Sequence, residues 1–199
     1  MADGLRERKK RRTRRALADA ALRLFAERGY EQTTVADIAA AAEVSTRTFF
    51  AYFPTREDVV FADTDERIAV MRETLTALPG GTPPVRAVHR MVEQVFATDG
   101  GMFGPARATR TALVLTRPEL RAKALERLLT AQQIFTDWLR TAYPKLDAVA
   151  AATVSGALMG GLVGAALASL DRGDPPERIR AELEHAVTLI ARGLIAIDE

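Results

Sequence analysis

The chain has no cysteine. Disulfides, thiolate catalysis and cysteine metal sites are therefore excluded, and a reducing compartment, the cytoplasm, is expected. Histidine is nearly absent too, at His89 and His185 only. Two lone histidines without cysteine make a poor zinc site, so neither metal nor cofactor is expected. The N-terminus is charged and lacks the apolar run of about 7–15 residues that a secretory signal needs. No stretch alternates apolar and polar residues as a half-buried strand would. There is no nucleophile elbow, phosphate loop, paired metal histidines or histidine–carboxylate couple. An enzyme reading has no residues to carry it.

What is present is helix. The 199 residues are 48% apolar and 27% charged, ordinary for a soluble chain of one or two domains that buries a real core. About nine amphipathic segments follow one another, with no internal repeat. The fold expected is all-α.

The net charge of +2 conceals an asymmetry. Arg6, Arg8, Lys9, Lys10, Arg11, Arg12, Arg14 and Arg15 stand against Asp3 and Glu7, so the first fifteen residues carry +6 and the rest −4. A basic arm on a mildly acidic body points to a polyanion at one end of the molecule. The plainer reading is a solvated, frayed terminus. Residues 1–9 read as disordered, and the basic run then enters a helix with Leu17, Ala20, Ala21, Leu24 and Phe25 on one face. Gly29 ends that helix.

The most informative stretch is Thr33–Arg56. Thr34 and Asp37 form a capping-box pattern that opens a short helix with Val35, Ile38, Ala39 and Ala42 buried. Glu43, Val44 and Ser45 make a turn, and Ser45 can cap a second short helix carrying Phe49, Phe50 and Phe53. Pro54 stops that helix. Two short helices about a tight turn have helix-turn-helix spacing. Ser45, Thr46, Arg47 and Thr48 are left outward on the second, where a recognition helix presents its first turns to base edges. Arg47 is the best base reader, because a guanidinium can pair with guanine O6 and N7 together. Thr33 and Thr34 can offer hydroxyls and free amides to a phosphate. A structural helical hairpin with a polar turn is the alternative; the basic arm beside it argues for DNA.

Gly29-Tyr30, Thr33-Thr34-Val35, Ile38-Ala39, Val44-Ser45, Phe49-Phe50, Phe53 and Arg56-Glu57-Asp58 resemble the DNA-binding domain of TetR-type (tetracycline-repressor-like) transcriptional regulators, over roughly residues 10–60. The resemblance implies an all-helical homodimer with three DNA-binding helices and about six more for ligand binding and dimerisation. It implies a repressor that leaves a palindromic operator when a small molecule binds. It divides the chain into a disordered arm at 1–9, a DNA-binding domain at 10–56 and a body at 57–199. Arg14, Thr33, Thr34, Ser45, Thr46, Arg47, Thr48, Phe50, Tyr52 and Arg56 become the DNA-facing candidates. The family often has tyrosine at Phe50, histidine at Tyr52 and lysine at Arg56, and a small residue at Arg47. Its tyrosine hydroxyl usually meets a phosphate, a bond Phe50 cannot make and Tyr52 is expected to supply. Arg117-Pro118-Glu119-Leu120-Arg121-Ala122 looks like a subgroup whose ligands resemble acyl-CoA or fatty acids.

Thr55 and Asp58 form a second capping-box pattern and are expected to start a long helix to about Leu78. Thr116 reads as another cap. Asp99–Pro105 is glycine-rich and reads as a loop. Ala148–Leu170 has no charge over 23 residues, long enough to span a bilayer, but its alanine, glycine, serine and threonine content favours a buried helix. Gly156, Gly160 and Gly164 lie four apart on it and allow close approach of another helix. With Leu183, Val187, Ile190 and Leu194 of the last helix they are the candidate dimer interface, the alternative being that they only fill the monomer core. Pocket candidates are Met71, Met91, Phe96, Met102, Phe103, Phe135, Trp138 and Met159, with Arg107 and Arg110 as anchors for an anionic group. Three functions compete for these residues: a ligand-responsive DNA-binding regulator, an enzyme, and a non-specific nucleic-acid or scaffold protein acting through the arm alone.

Overall fold

The computed structural model describes residues 2–97 and 106–195, and the side chains there except at positions 2, 3, 5, 7, 95–97, 106–108, 176 and 193–195. Among these residues there are nine α-helices and no strand: α1 Ala2–Arg28, α2 Val35–Ala41, α3 Thr46–Tyr52, α4 Ala62–Ala77, α5 Pro84–Ala97, α6 Ala106–Thr116, α7 Pro118–Ala142, α8 Ala148–Asp171 and α9 Pro176–Ile195. A 3₁₀ turn, Glu57–Phe61, precedes α4.

The chain divides into two compact units. The first holds everything to Glu66 together with α6 and the start of α7 up to Ala124. The second takes Arg67 through α5 and Leu125 through α9. This division by packing cuts the chain after Glu66, inside α4, and crosses it a second time in α7. Val59, Val60, Phe61 and Leu120 are buried with Leu17, Phe25, Ile38, Phe49 and Phe53 in one core, and Leu113 and Val114 pack against it. One long and two short helices cannot bury enough apolar surface alone. α6 and the first turns of α7 complete the core.

Several local expectations change for physical reasons. α1 begins at Ala2, not near residue 10. Residues 5–12 are leucine, arginine, glutamate and lysine, all good helix formers, and nothing breaks the run. Gly29 ends α1 with φ +91°, a left-handed conformation that favours glycine. Thr55 does bond Asp58, whose Oδ2 accepts from the Thr55 amide at 3.1 Å and hydroxyl at 2.7 Å. Yet the 3₁₀ turn intervenes, and the α-helix starts only at Ala62. Thr116 caps nothing: α6 runs through it, and its hydroxyl donates back to Ala112 O at 2.7 Å. The segment Asp99–Pro105, including Met102 and Phe103, lies outside the described residues, as do the side chains of Phe96, Arg107 and Leu194.

In the second unit α9 packs on α8 and on α5. Asp147 caps α8, its Oδ1 accepting from the Ala150 amide at 2.8 Å. Gly161 is where α9 comes close, since a Cβ there would collide with Ile190 Cδ1. Leu183 and Val187 are buried within the single chain, so they serve its own core and are not available to a partner. α8 has the length and apolarity of a membrane span, but only 22% of its apolar window is buried. The expectation of a buried helix fails for the chain taken alone.

Candidate nucleic-acid interface

Two seven-residue helices are too short to persist unaided, so their ends are held by side chains. At α2 the capping box closes: the Asp37 amide donates to Thr34 Oγ1 at 3.2 Å and the Thr34 amide to Asp37 Oδ2 at 2.9 Å. These bonds to the ionised carboxylate, from the Thr34 hydroxyl first and the Thr34 amide second, hold Asp37 below the ordinary 3.8. At α3 Ser45 Oγ accepts from the Thr48 amide at 3.0 Å and pairs with Thr48 Oγ1 at 2.9 Å. Between the helices Glu43 takes a left-handed φ of +54°, a conformation uncommon for a side-chain-bearing residue.

Packing then fixes the outward face of α3. Phe49 and Phe53 are fully buried, with ring centroids 5.6 Å apart. Ser45, Thr46, Arg47 and Phe50 are exposed, while Thr48 and Tyr52 are half-buried. Arg47 has no polar partner among the described residues. Phe50 stands one turn beyond it, 54% exposed and set edge-on against Phe49. The face therefore offers one free guanidinium, two hydroxyls and one large apolar ring. The Tyr52 hydroxyl also has no bonding partner among the described residues, and its ring packs against the core.

Three of the sequence candidates are placed otherwise. Thr33 is completely buried, and its hydroxyl donates to Gly29 O at 2.8 Å and Leu24 O at 3.4 Å; it holds the turn after α1 and offers no hydroxyl to a phosphate. Arg14 donates to Tyr52 O at 3.0 Å and to Asp65 Oδ2 at 2.9 Å, with its guanidinium 4.4 Å from the Phe53 ring centroid. Arg56 donates to Tyr30 O at 3.1 Å and Thr33 O at 3.0 Å and lies 4.3 Å over the Tyr30 ring. Both arginines are bonded within the protein, with 28% and 23% of their side chains still exposed. Thr34, though exposed, is engaged in its capping box. Arg110, considered as a ligand anchor, donates to Val60 O at 3.1 Å and pairs with Asp63 in the first unit.

Tyr30 carries part of the family resemblance but is not among the site candidates. Its ring lies under Arg56 and 5.5 Å from the Arg117 guanidinium, and its hydroxyl donates to Glu57 at 3.2 Å. Burial first, then the neighbouring Glu57 carboxylate, push its hydroxyl up to about 12. Burial pushes Glu57 up as well. Hydrogen bonds from its own amide, Thr55 and Tyr30, with Arg56 nearby, outweigh that and leave it below its ordinary value. No sequence signal distinguishes this node from an ordinary aromatic at a helix end.

Residues 17–62 match the family described as "Bacterial regulatory proteins, tetR family". The HTH-type transcriptional regulator TcmR of Streptomyces glaucescens is 38% identical over 129 residues, covering 62% of this chain and 57% of that protein. The match thus spans little more than half of that relative's length. The HTH-type transcriptional regulator EthR of Mycolicibacterium smegmatis is 29% identical over 180 residues, covering 85% of this chain and 82% of that one. Among solved structures, FadR of Thermus thermophilus, a TetR-family repressor in complex with lauroyl-CoA, shares the fold with a TM-score of 0.57 and 23% identity, covering 90% of this chain and 94% of that one. With a family match over residues 17–62, regulators of this kind among its relatives and an all-helical fold shared with solved members, the chain carries a helix-turn-helix domain of the TetR type and is similar to the TetR-type transcriptional regulators.

Proposed function

We propose that this regulator is a homodimeric repressor that reads a palindromic operator and is released by a hydrophobic small molecule. The observation that carries this reading is the uncovered stripe along α8. Val149 is 76% exposed, and Val163 and Leu167 are exposed on the same side. The spacing of Thr153, Gly156, Gly160 and Gly164 puts them on that side too, and a Cβ at Gly160 or Gly164 would meet only open space. A long apolar stripe left bare in one chain is what a second copy would cover, and small residues along it allow close helix approach. Leu189 of α9 is exposed as well. Gly156 is half-covered by Gln132, and Ile190 packs on Gly161. The partner-facing set is therefore Val149, Gly160, Val163, Gly164, Leu167 and Leu189.

Dimerisation serves DNA reading by setting two recognition helices about 34 Å apart, one helical turn. On each, Arg47 reads a guanine, and Phe50 offers its ring to a thymine methyl group. In the second unit Met71, Met91, Phe135 and Met159 are buried, and Trp138 stacks on Phe135 with centroids 5.3 Å apart. His89 Nε2 is buried there without a hydrogen-bond partner among the described residues. A bound molecule with a polar group would satisfy it. The lauroyl-CoA complex of the Thermus relative makes an acyl-CoA the first probe to try.

Selection of bound duplexes from a random pool tests the DNA half. A palindrome preferred over random DNA by about 10³ or more is expected, with sedimentation giving two chains per duplex. Arg47→Ala should cost about 1–3 kcal/mol at one or two base pairs and leave the others unchanged. Equal affinity for every duplex would instead favour a non-specific nucleic-acid protein. Titrating lauroyl-CoA into the operator complex tests release.

A further inference from the structure

We infer that Arg14 and Arg56, both drawn from the most basic and most DNA-like parts of the sequence, are positioning residues that brace the two ends of the helix-turn-helix from within and do not contact phosphate. The assignment rests on the DNA-reading function above.

The carbonyls of a helix's last turn have no partner in the helix. In α3 the chain leaves helical geometry at Phe53, with φ −135° and ψ 111°. Arg14 of α1 supplies a donor to Tyr52 O there. The same guanidinium reaches Asp65 of α4 and covers the face of Phe53. One planar group thus ties the exit of the recognition helix to two flanking helices. A lysine could not hold that geometry, because the fork of donors and the flat face are specific to arginine.

Arg56 repeats the arrangement at the other end. It gives two hydrogen bonds to carbonyls of the turn that leads into α2, at Tyr30 and Thr33, and lies on the Tyr30 ring. Thr33 is itself buried and bonded back to Gly29 and Leu24. The entry of α2 and the exit of α3 are each held by an arginine donating to backbone oxygen over an aromatic face. Both cations also have carboxylates at hand: Asp65 for Arg14, and Glu57 and Glu31, at 3.7 and 3.9 Å, for Arg56. Their charge is balanced internally, so the attraction they could offer a phosphate is reduced.

Arg11 and Arg12 differ. They are exposed on the N-terminal part of α1 and have no polar partner among the described residues. With Lys9 and Lys10, which are exposed in the same way, they are cations in this region left for a phosphate. The basic arm therefore splits into two functions: Lys9 to Arg12 face outward and can seek phosphate, while Arg14, two residues further on, turns inward.

The salt dependence of binding separates the roles. The probes are the tightest duplex recovered from a random pool by the full-length wild-type protein and a scrambled duplex of the same length and composition. Removing one cation from a phosphate lowers the slope of log K against log salt by about 0.9. Arg12→Ala should lower it on both duplexes. Arg14→Ala, Arg14→Lys and Arg56→Ala should leave the slope unchanged on both and lower affinity for the selected duplex alone, by about tenfold or more. A shallower slope in Arg14→Ala, with rescue by Arg14→Lys, would make Arg14 a phosphate ligand and overturn the assignment. So would unchanged affinity for the selected duplex in all three. Amide hydrogen exchange of the DNA-free protein gives a second readout. Faster exchange across α3 in Arg14→Lys, with α8 unaffected, is expected, and unaltered protection of α3 would overturn the brace. If no duplex is enriched at all, the operator reading fails first, and the exchange result still decides whether the brace exists.

Discussion

The helix-turn-helix and the α8–α9 pair solve the burial problem in opposite ways. α2 and α3 have seven residues each, yet their large side chains are sealed: Ile38, Phe49 and Phe53 are all fully buried. Their caps are made by Thr34, Asp37 and Ser45, and their two ends are braced by Arg14 and Arg56. α8 has 24 residues and scarcely a charge, but only Ala151, Ser155, Leu158, Met159 and Ser169 of it are buried, and Val149, Val163 and Leu167 are exposed. The short helices are finished objects within one chain, and Phe50 is the only large apolar side chain they leave exposed. The long helix is unfinished, and what it leaves exposed is apolar. Exposed surface therefore means different things in the two regions: the face proposed to read DNA in one, and in the other the face proposed for a second copy.

The largest expected effect lies inside the finished region. Phe53 is fully buried between Phe49 and the Arg14 guanidinium. Phe53→Ala should destabilise the first unit by about 3–5 kcal/mol, measured by urea unfolding followed by circular dichroism. A cost below about 1 kcal/mol would mean that α3 is not sealed against the core and would erase the contrast with α8.

Next comes the bare stripe. Leu167→Glu should leave the folded chain intact, because that side chain is 44% exposed already. It should weaken dimerisation by about 2 kcal/mol or more, roughly thirtyfold in the dimer dissociation constant. Sedimentation velocity over a dilution series reads this directly. An unchanged dimer constant would move the interface elsewhere. A monomeric wild-type protein would leave the exposed stripe needing another occupant.

Much of this was legible in the sequence, and what was not follows a pattern. The all-helical fold, the capping box at Thr34 and Asp37 and the cap at Ser45 follow from spacing alone, because a cap needs particular residues at particular offsets. Phe49 and Phe53 are legible as a buried face for the same reason. Arg14 and Arg56 are not. An arginine that donates to a carbonyl 38 positions away, as Arg14 does to Tyr52, is the same letter as one facing a phosphate. Thr33 was misplaced for the same reason, since a hydroxyl reads alike whether it is turned inward or outward. On α9 the broad apolar face could be seen, but not which part its own chain would cover. Leu183 and Val187 turned out to lie on the covered part.

The smallest effects should come from the caps, and they test whether the short helices depend on local bonds as well as on burial. Thr34→Ala removes the hydroxyl that accepts from the Asp37 amide and should cost about 1 kcal/mol. The reciprocal half is pH-dependent. The Asp37 carboxyl is held below its ordinary 3.8 by the Thr34 hydroxyl and amide, so the folded state binds its proton less readily than the unfolded state does. Its contribution is present above 3.8 and is lost as the pH falls through the depressed folded value. Wild type and Asp37→Asn should therefore differ in stability at neutral pH and converge in acid, as the pH falls below 3.8 and through the depressed folded value. Urea midpoints taken from pH 7 to pH 2.5 follow the difference, and Thr34→Ala should shrink it by removing one of the two donors. A gap between wild type and Asp37→Asn that stays constant down to pH 2.5 would mean the carboxylate is not what closes the box. α2 would then owe its order to Ile38 and Ala39 in the core, as α3 owes much of its own to Phe49 and Phe53.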